Sequence, residues 1–202
     1  MSDAAPLREV VVATSNPGKL REIRAILGEL PLAIVGLDAV AEVHFPEEGD
    51  DYEANARVKA QAVASRSGRP AVADDSGLEV EGLAGAPGPR SARYGGPALD
   101  DAGRMAHLLE QMQSLAGDAR RARFVCVAAL ATPEGDVVTT RGECAGRILE
   151  QPVGQGGFGY DPVFEVEGDT RAMAELLPAE KNRISHRARA FRALREALLR
   201  LA

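Results

Sequence analysis

Apolar and polar stretches alternate along this chain at the length of single secondary-structure elements. The run Val10-Val11-Val12-Ala13 is unbroken and apolar, which predicts a short buried strand. Thr14-Ser15-Asn16-Pro17 follows as a helix start, with Asn16 placed to cap and Pro17 at the first helical position. Leu20, Ile23 and Leu27 then share one helix face, and Gly28 marks its end. A second strand is predicted over Leu32–Val35, a polar loop over 41–50, and an Ala-rich helix over 51–66 with Ala56, Ala60 and Val63 at helical spacing. Ala71-Val72-Ala73 predicts a strand that ends at Asp74-Asp75-Ser76-Gly77, after which Leu78 and Val80 alternate with Glu79. Residues 82–97 are rich in glycine and proline and predict an irregular loop. Beyond it come a helix over 99–113, two strands over 123–132 and 136–149 joined by a hairpin turn at Thr132-Pro133-Glu134-Gly135-Asp136, a glycine-rich loop over 154–159, and a strand over 162–166. Phe191, Leu194, Leu198 and Leu201 form one stripe on a C-terminal helix. Crossover-type strands near the start and a hairpin later predict an α/β protein whose mixed central sheet is flanked by helices, in a single domain over 1–202.

Composition narrows the function classes. A formal net charge of -6 argues against a general nucleic-acid binder, which needs a basic face to neutralise phosphates. There is no apolar run near the length of a membrane span and no signal sequence, so no membrane partner and a cytoplasmic location are expected. Cys126 and Cys144 fall in strand-like runs and are expected as buried thiols. The 24 Lys+Arg include only the lysines Lys19, Lys59 and Lys181, each within four residues of one of the chain's asparagines, Asn16, Asn55 and Asn182. Where arginine serves for ordinary surface charge, these compact ammonium groups suit phosphate oxygens.

Five stretches carry candidate chemistry. Thr14, Ser15, Asn16, Pro17, Gly18 and Lys19 stand between a strand and a helix, where backbone N–H groups and the positive dipole end favour phosphate, although a merely well-capped helix uses the same residues. Asp74-Asp75-Ser76 places two carboxylates side by side. Neighbours in a strand face opposite ways, so one of the two is expected to face any one metal. Glu47, on the loop before the Ala-rich helix, is placed to reach the same ion, and Asn55 and Lys59 share a helix face. Phe158, Gly159, Tyr160 and Asp161 combine an aromatic face with backbone that can approach a planar ligand. Lys181, His186 and Arg187 surround a predicted cap at Ser185, and cations in a first helical turn call for a nearby anion.

Together these stretches resemble the inosine triphosphate pyrophosphatase family: TSNPGK (14–19), EEGDDYEANARVKA (47–60), ADDSGLEV (73–80), GAPGPRSARYGG (85–96), GGFGYDPVF (156–164) and AEKNRISHRARA (179–190). The resemblance runs in order through nearly the whole chain. Around the acidic loop the family pattern has Thr and a hydroxyl residue where this chain has Glu48 and Asp51, with Glu47 left in register. The resemblance implies hydrolysis of non-standard purine nucleoside triphosphates to monophosphate and pyrophosphate. It implies that residues 14–19 hold the triphosphate and that Glu47 and Asp75 bind Mg²⁺, Asp75 also accepting the proton of the attacking water. Ser76, Lys59 and Lys181 would contact phosphate or nucleotide, residues 158–161 would form the base pocket, and His186 and Arg187 would read a 6-keto purine. It also implies an elongated two-lobed fold with the nucleotide cleft between the lobes, and a homodimer.

Overall fold

A computed structural model describes residues 8–201. Its centre is a seven-stranded mixed sheet. Strand β1 (Arg8–Val12) runs parallel to β2 (Leu32–Val35) on one side and to β3 (Ala71–Val80) on the other. The ladder continues antiparallel through β5 (Arg121–Ala131), β6 (Val137–Ile148) and β7 (Phe164–Val166), while the two-residue β4 (Pro87–Gly88) pairs with the far end of β3. The helices are α1 (Pro17–Leu27), α2 (Tyr52–Ser67), α3 (Asp101–Gln111), α4 (Pro178–Ile184), α5 (His186–Ala193) and α6 (Arg195–Leu199). None is long and apolar enough to cross a membrane.

Strand alternation sorts the core into three groups. Val10, Val12, Val72, Ala128 and Leu130 face α1 and α5 and pack on Ile23, Leu27, Phe191, Leu194 and Leu198. Their sequence neighbours Val11, Ala71, Ala73, Val127 and Ala129 face the other way, onto Ala56, Ala60 and Val63 of α2. At the far end of the sheet Leu78, Val80 and Phe124 join Leu108 of α3 and Met112, just past its end, with Tyr160 and Phe164. Both cysteines are buried and free.

Two expectations from the sequence are revised. The C-terminal helix predicted to start at the Ser185 cap is two, α5 and α6, and an unpredicted α4 precedes it: Ser185 ends α4 and caps α5 by accepting from the Ala188 N–H at 3.2 Å, and α6 starts after Leu194. More consequentially, Asp74 and Asp75 do not end a strand. They lie in the middle of β3, paired to β5 along all ten residues. The strand does end in one sense. β1 pairs β3 only at Ala71 and Val72, and β4 only at Leu78 and Glu79. Between them the edge of β3 from 73 to 77 has no strand partner among the described residues, and Asp75, Ser76 and Gly77 of that stretch line a cavity.

Helix α5 is held against β6 by an absence of side chain. A Cβ on Gly142 would lie against the His186 carbonyl oxygen and the Ala190 amide nitrogen, backbone atoms that cannot step aside. Gly142→Ala is therefore expected to lower stability by about 1–3 kcal/mol, the usual cost of overpacking. The urea midpoint reads this, and a midpoint equal to the parent's would show that α5 is free to move off the sheet.

Candidate active site

A cavity of about 440 Å³ lies at the open edge of β3, within the size range of small-molecule sites. Thr14, Ser15, Asn16 and Lys19 line one end, with Lys59, Glu48, Asp75 and Ser76 beside them. Phe158, Gly159, Tyr160, Asp161, Lys181 and His186 line the other, and Arg187, bonded to Ser76, stands between the two. Three of the expected residues do not line it. Pro17 is exposed, Gly18 is buried against the Phe158 ring, and Glu47 is exposed on a separate groove beside Arg90 and Tyr94.

The start of α1 forms as the sequence predicts, but its amides are not free. Asn16 Oδ1 accepts from the Gly18 N–H at 2.8 Å and the Lys19 N–H at 3.1 Å, and Pro17 has no N–H to offer. A phosphate here meets the dipole end, the Thr14 and Ser15 hydroxyls and Lys19 rather than a ring of bare amides.

The adjacent aspartates separate by face. Asp74 points toward α1 and α5, where Lys19 Nζ lies 3.2 Å away and Arg187 donates from Nε and Nη2 at 3.2 and 3.1 Å. Burial works against its charge, but Lys19, Arg187 and Lys59 overcome it and hold the carboxyl well below the usual range. Asp75 points toward α2. It accepts from Asn55 Nδ2 at 2.9 Å and from Lys59 Nζ at 3.3 Å, and burial outweighs these partners and raises its pKa. Lys59 bonds Glu48 at 2.7 Å on its other side, so one ammonium bridges two carboxylates. Glu48 is itself gripped by Arg93, whose Nη1 lies 3.3 Å from Oε2 and whose Nη2 donates to the Glu48 and Gly49 carbonyls at 3.0 and 3.3 Å. The carboxylate beside Asp75 is thus Glu48, not its neighbour Glu47.

At the aromatic end the cations are engaged. Lys181 Nζ donates to Asp161 at 2.5 Å, pairs with Glu22 at 2.7 Å and lies 4.8 Å from the Phe158 ring centre. It sits with the aromatic loop rather than with Lys19 and Lys59. Asp161 also accepts from the Phe158 N–H at 2.8 Å, so its carboxylate folds the loop inward instead of standing open to a ligand. Arg187 is 2% exposed and spends donors on Asp74, on Glu22 at 2.6 Å and on the Ser76 hydroxyl at 2.9 Å. The residue that the resemblance implied as a base reader is thus a buried ion-pair centre with its donors engaged. His186 stacks on Phe124 with ring centres 4.7 Å apart, and burial together with Arg187 and Lys181 pushes its pKa well down, so the imidazole is neutral.

Glu22, Glu48, Arg93 and Arg104 were not singled out by sequence pattern. Glu22 had one readable signal: it follows Lys19 by three residues and so shares its side of α1.

The Ham1 family model matches residues 10–197. The chain is 50% identical to the dITP/XTP pyrophosphatase of Deinococcus deserti over 94% of its own length and 89% of the relative's. It is 48% identical to the protein of the same name from Streptomyces coelicolor, covering 93% and 96% of the two chains. Among solved structures, a HAM1 protein from Coxiella burnetii superposes with a TM-score of 0.83 at 37% identity, covering 96% of this chain and all of that one. A nucleoside-triphosphatase / dITP/XTP pyrophosphatase from Mycobacterium abscessus superposes with a TM-score of 0.74 at 44% identity, covering 92% and 98%.

The depressed pKa of His186 makes stability pH-dependent. The unfolded imidazole, near 6.5, binds a proton that the folded one refuses, so its contribution is complete above that value and is lost as pH falls below it. The drop in urea midpoint between pH 7.5 and 5.5 should be smaller in His186→Gln than in the parent. Equal drops would mean His186 takes up its proton without resistance from the fold.

Proposed function

This chain belongs to the Ham1 family, and we propose that it hydrolyses non-standard purine nucleoside triphosphates of the dITP and XTP kind to monophosphate and pyrophosphate. The observation that carries the reading is the pairing, in one cavity, of a cation-bridged carboxylate pair at the Lys19 end with an aromatic pocket at the Phe158 end. A triphosphate needs the first and a purine the second.

The carboxylate pair fits Mg²⁺. Asp75 and Glu48 already flank a positive charge, the Lys59 ammonium, and both offer hard oxygens. Mg²⁺ commonly takes one or two carboxylates and completes its shell with substrate phosphates and water. Asp75 and Glu48 would hold it, and it would supply charge neutralisation along the phosphates. In this reading Lys19 and Lys59 exchange their carboxylates for phosphate oxygens. Asp75, made more basic by burial, accepts the proton of the water that attacks between the α- and β-phosphates. The water oxygen bonds phosphorus, the anhydride bond breaks, and pyrophosphate leaves with the electron pair. Neutral His186 donates to a 6-keto oxygen, and a 6-amino group would leave that donor unmatched in a buried site. The reading also includes a cytoplasmic homodimer, on family resemblance.

With Mg²⁺, the protein should release pyrophosphate from dITP far faster than from dATP. Orthophosphate with a diphosphate product would overturn the cleavage position, and tight binding without turnover would favour a nucleotide-sensing protein. Asp75→Asn should lower kcat by about 10²–10⁴-fold, the range for a lost general base, with the folded circular-dichroism spectrum retained at the assay temperature. A decline of less than tenfold would remove Asp75 from that role. Glu48→Gln should raise the Mg²⁺ concentration needed for half-maximal rate, and Glu47→Gln should leave it near the parent's. The reverse pattern would restore Glu47 as the second carboxylate.

A further inference from the structure

One charged side chain in the cavity has no role in the account above. Arg104, on α3, lines the same cavity as Phe158, Gly159 and Tyr160. Its side chain is 16% exposed, and its nearest carboxylate oxygen, on Asp101, stands 3.7 Å away, outside hydrogen-bond distance. The Nε atom is buried and has no hydrogen-bond partner among the described residues. The other cations of the cavity are engaged: Lys19 with Asp74, Lys59 with Glu48 and Asp75, Lys181 with Asp161 and Glu22, and Arg187 with Asp74 and Glu22. A buried guanidinium N–H left without an acceptor is costly unless something that enters the cavity supplies one.

Position identifies which part of an entering ligand that would be. The start of α3 is fastened to the aromatic loop, because Asp101 Oδ2 accepts from the Gly159 N–H at 2.9 Å. Arg104 is thereby held at the Phe158–Tyr160 end. On the nucleotide reading of the cavity, which this step assumes, that end takes the nucleoside. We propose that Arg104 is a substrate-contacting residue that donates to an oxygen of the nucleoside half and so helps set which nucleosides are accepted. The guanidinium offers only donors, which suits a sugar hydroxyl or a base carbonyl and not an exocyclic amine.

Binding measured by calorimetry in Mg²⁺-free buffer separates the sources. The ligands are dITP, ITP, XTP and inorganic tripolyphosphate, the last standing for the phosphates alone. Arg104→Gln should weaken the nucleotides about tenfold, the scale of a charged hydrogen bond, and leave tripolyphosphate within twofold. A larger loss for ITP than for dITP assigns the contact to the 2′-hydroxyl, a larger loss for XTP than for ITP assigns it to the 2-oxygen, and equal losses assign it to an oxygen common to all three. Unchanged nucleotide binding, or a parallel loss of tripolyphosphate, overturns the proposal. Arg104→Lys, which keeps the charge but lacks Nε, should recover only part of the affinity, and a thermal midpoint confirms that both variants fold. If the parent releases pyrophosphate normally while Arg104→Gln binds as the parent does, only this proposal falls. If the parent binds no nucleotide, the reading beneath it falls as well.

Discussion

Six charged side chains run as one chain of ion pairs through the protein: Lys19 to Asp74, Asp74 to Arg187, Arg187 to Glu22, Glu22 to Lys181, and Lys181 to Asp161. Three are cations and three are anions, so the line is neutral. It needs to be, since removing one member of a buried pair typically costs about 3–5 kcal/mol through the charge left behind. The chain ties α1, β3, α5, α4 and the aromatic loop to one another by charge, beside the apolar core that α1, β3 and α5 share. It also explains why a first helical turn of α5 can carry Arg187 against the dipole: Asp74 and Glu22 lie where an anion is wanted.

The same chain sets terms for any ligand that enters. Each lysine of the cavity already holds a carboxylate, so binding a polyanion is an exchange of partners rather than a filling of vacancies. The net gain in each contact is smaller than a free ammonium would give, and a poorly matched anion gains little. Fixed, oppositely charged neighbours hold Lys19, Lys59, Lys181 and Arg187 where they are, so this part of the site is organised before anything arrives.

Much of this was legible in the chain itself. The apolar run 10–13, the cap at Asn16, the Ala-rich face of α2, the β5–β6 hairpin and the cap at Ser185 are local patterns, and local physics reproduces them. The course of β3 was not, because Asp74, Asp75 and Ser76 break the apolar alternation that marks a buried strand, and what sustains the strand there is ten residues of pairing to β5. Nor did sequence pattern separate Glu48 from Glu47. Which of two adjacent carboxylates turns inward depends on Lys59 and Arg93, one on the next helix and one 45 residues away. Glu22 and Arg187 are 165 residues apart, and no periodicity reports a contact of that span. The motif residues marked the right region; the pairings within it are tertiary.

The gap beside β3 exists because β1 is short. After Val12 only the Ala13 amide still reaches β3, at the Val72 carbonyl, and then the Thr14 amide turns back to the Val12 carbonyl. Pro17, with no N–H, begins α1. The length of one strand is therefore a working dimension of the protein. Two more residues of ladder would carry β1 alongside Asp74 and take Thr14, which lines the cavity, into the sheet. An insertion that let β1 run on would act on the opening itself, whichever residues line the cavity. The punctuation at 14–17 guards a hole in a sheet as much as it starts a helix.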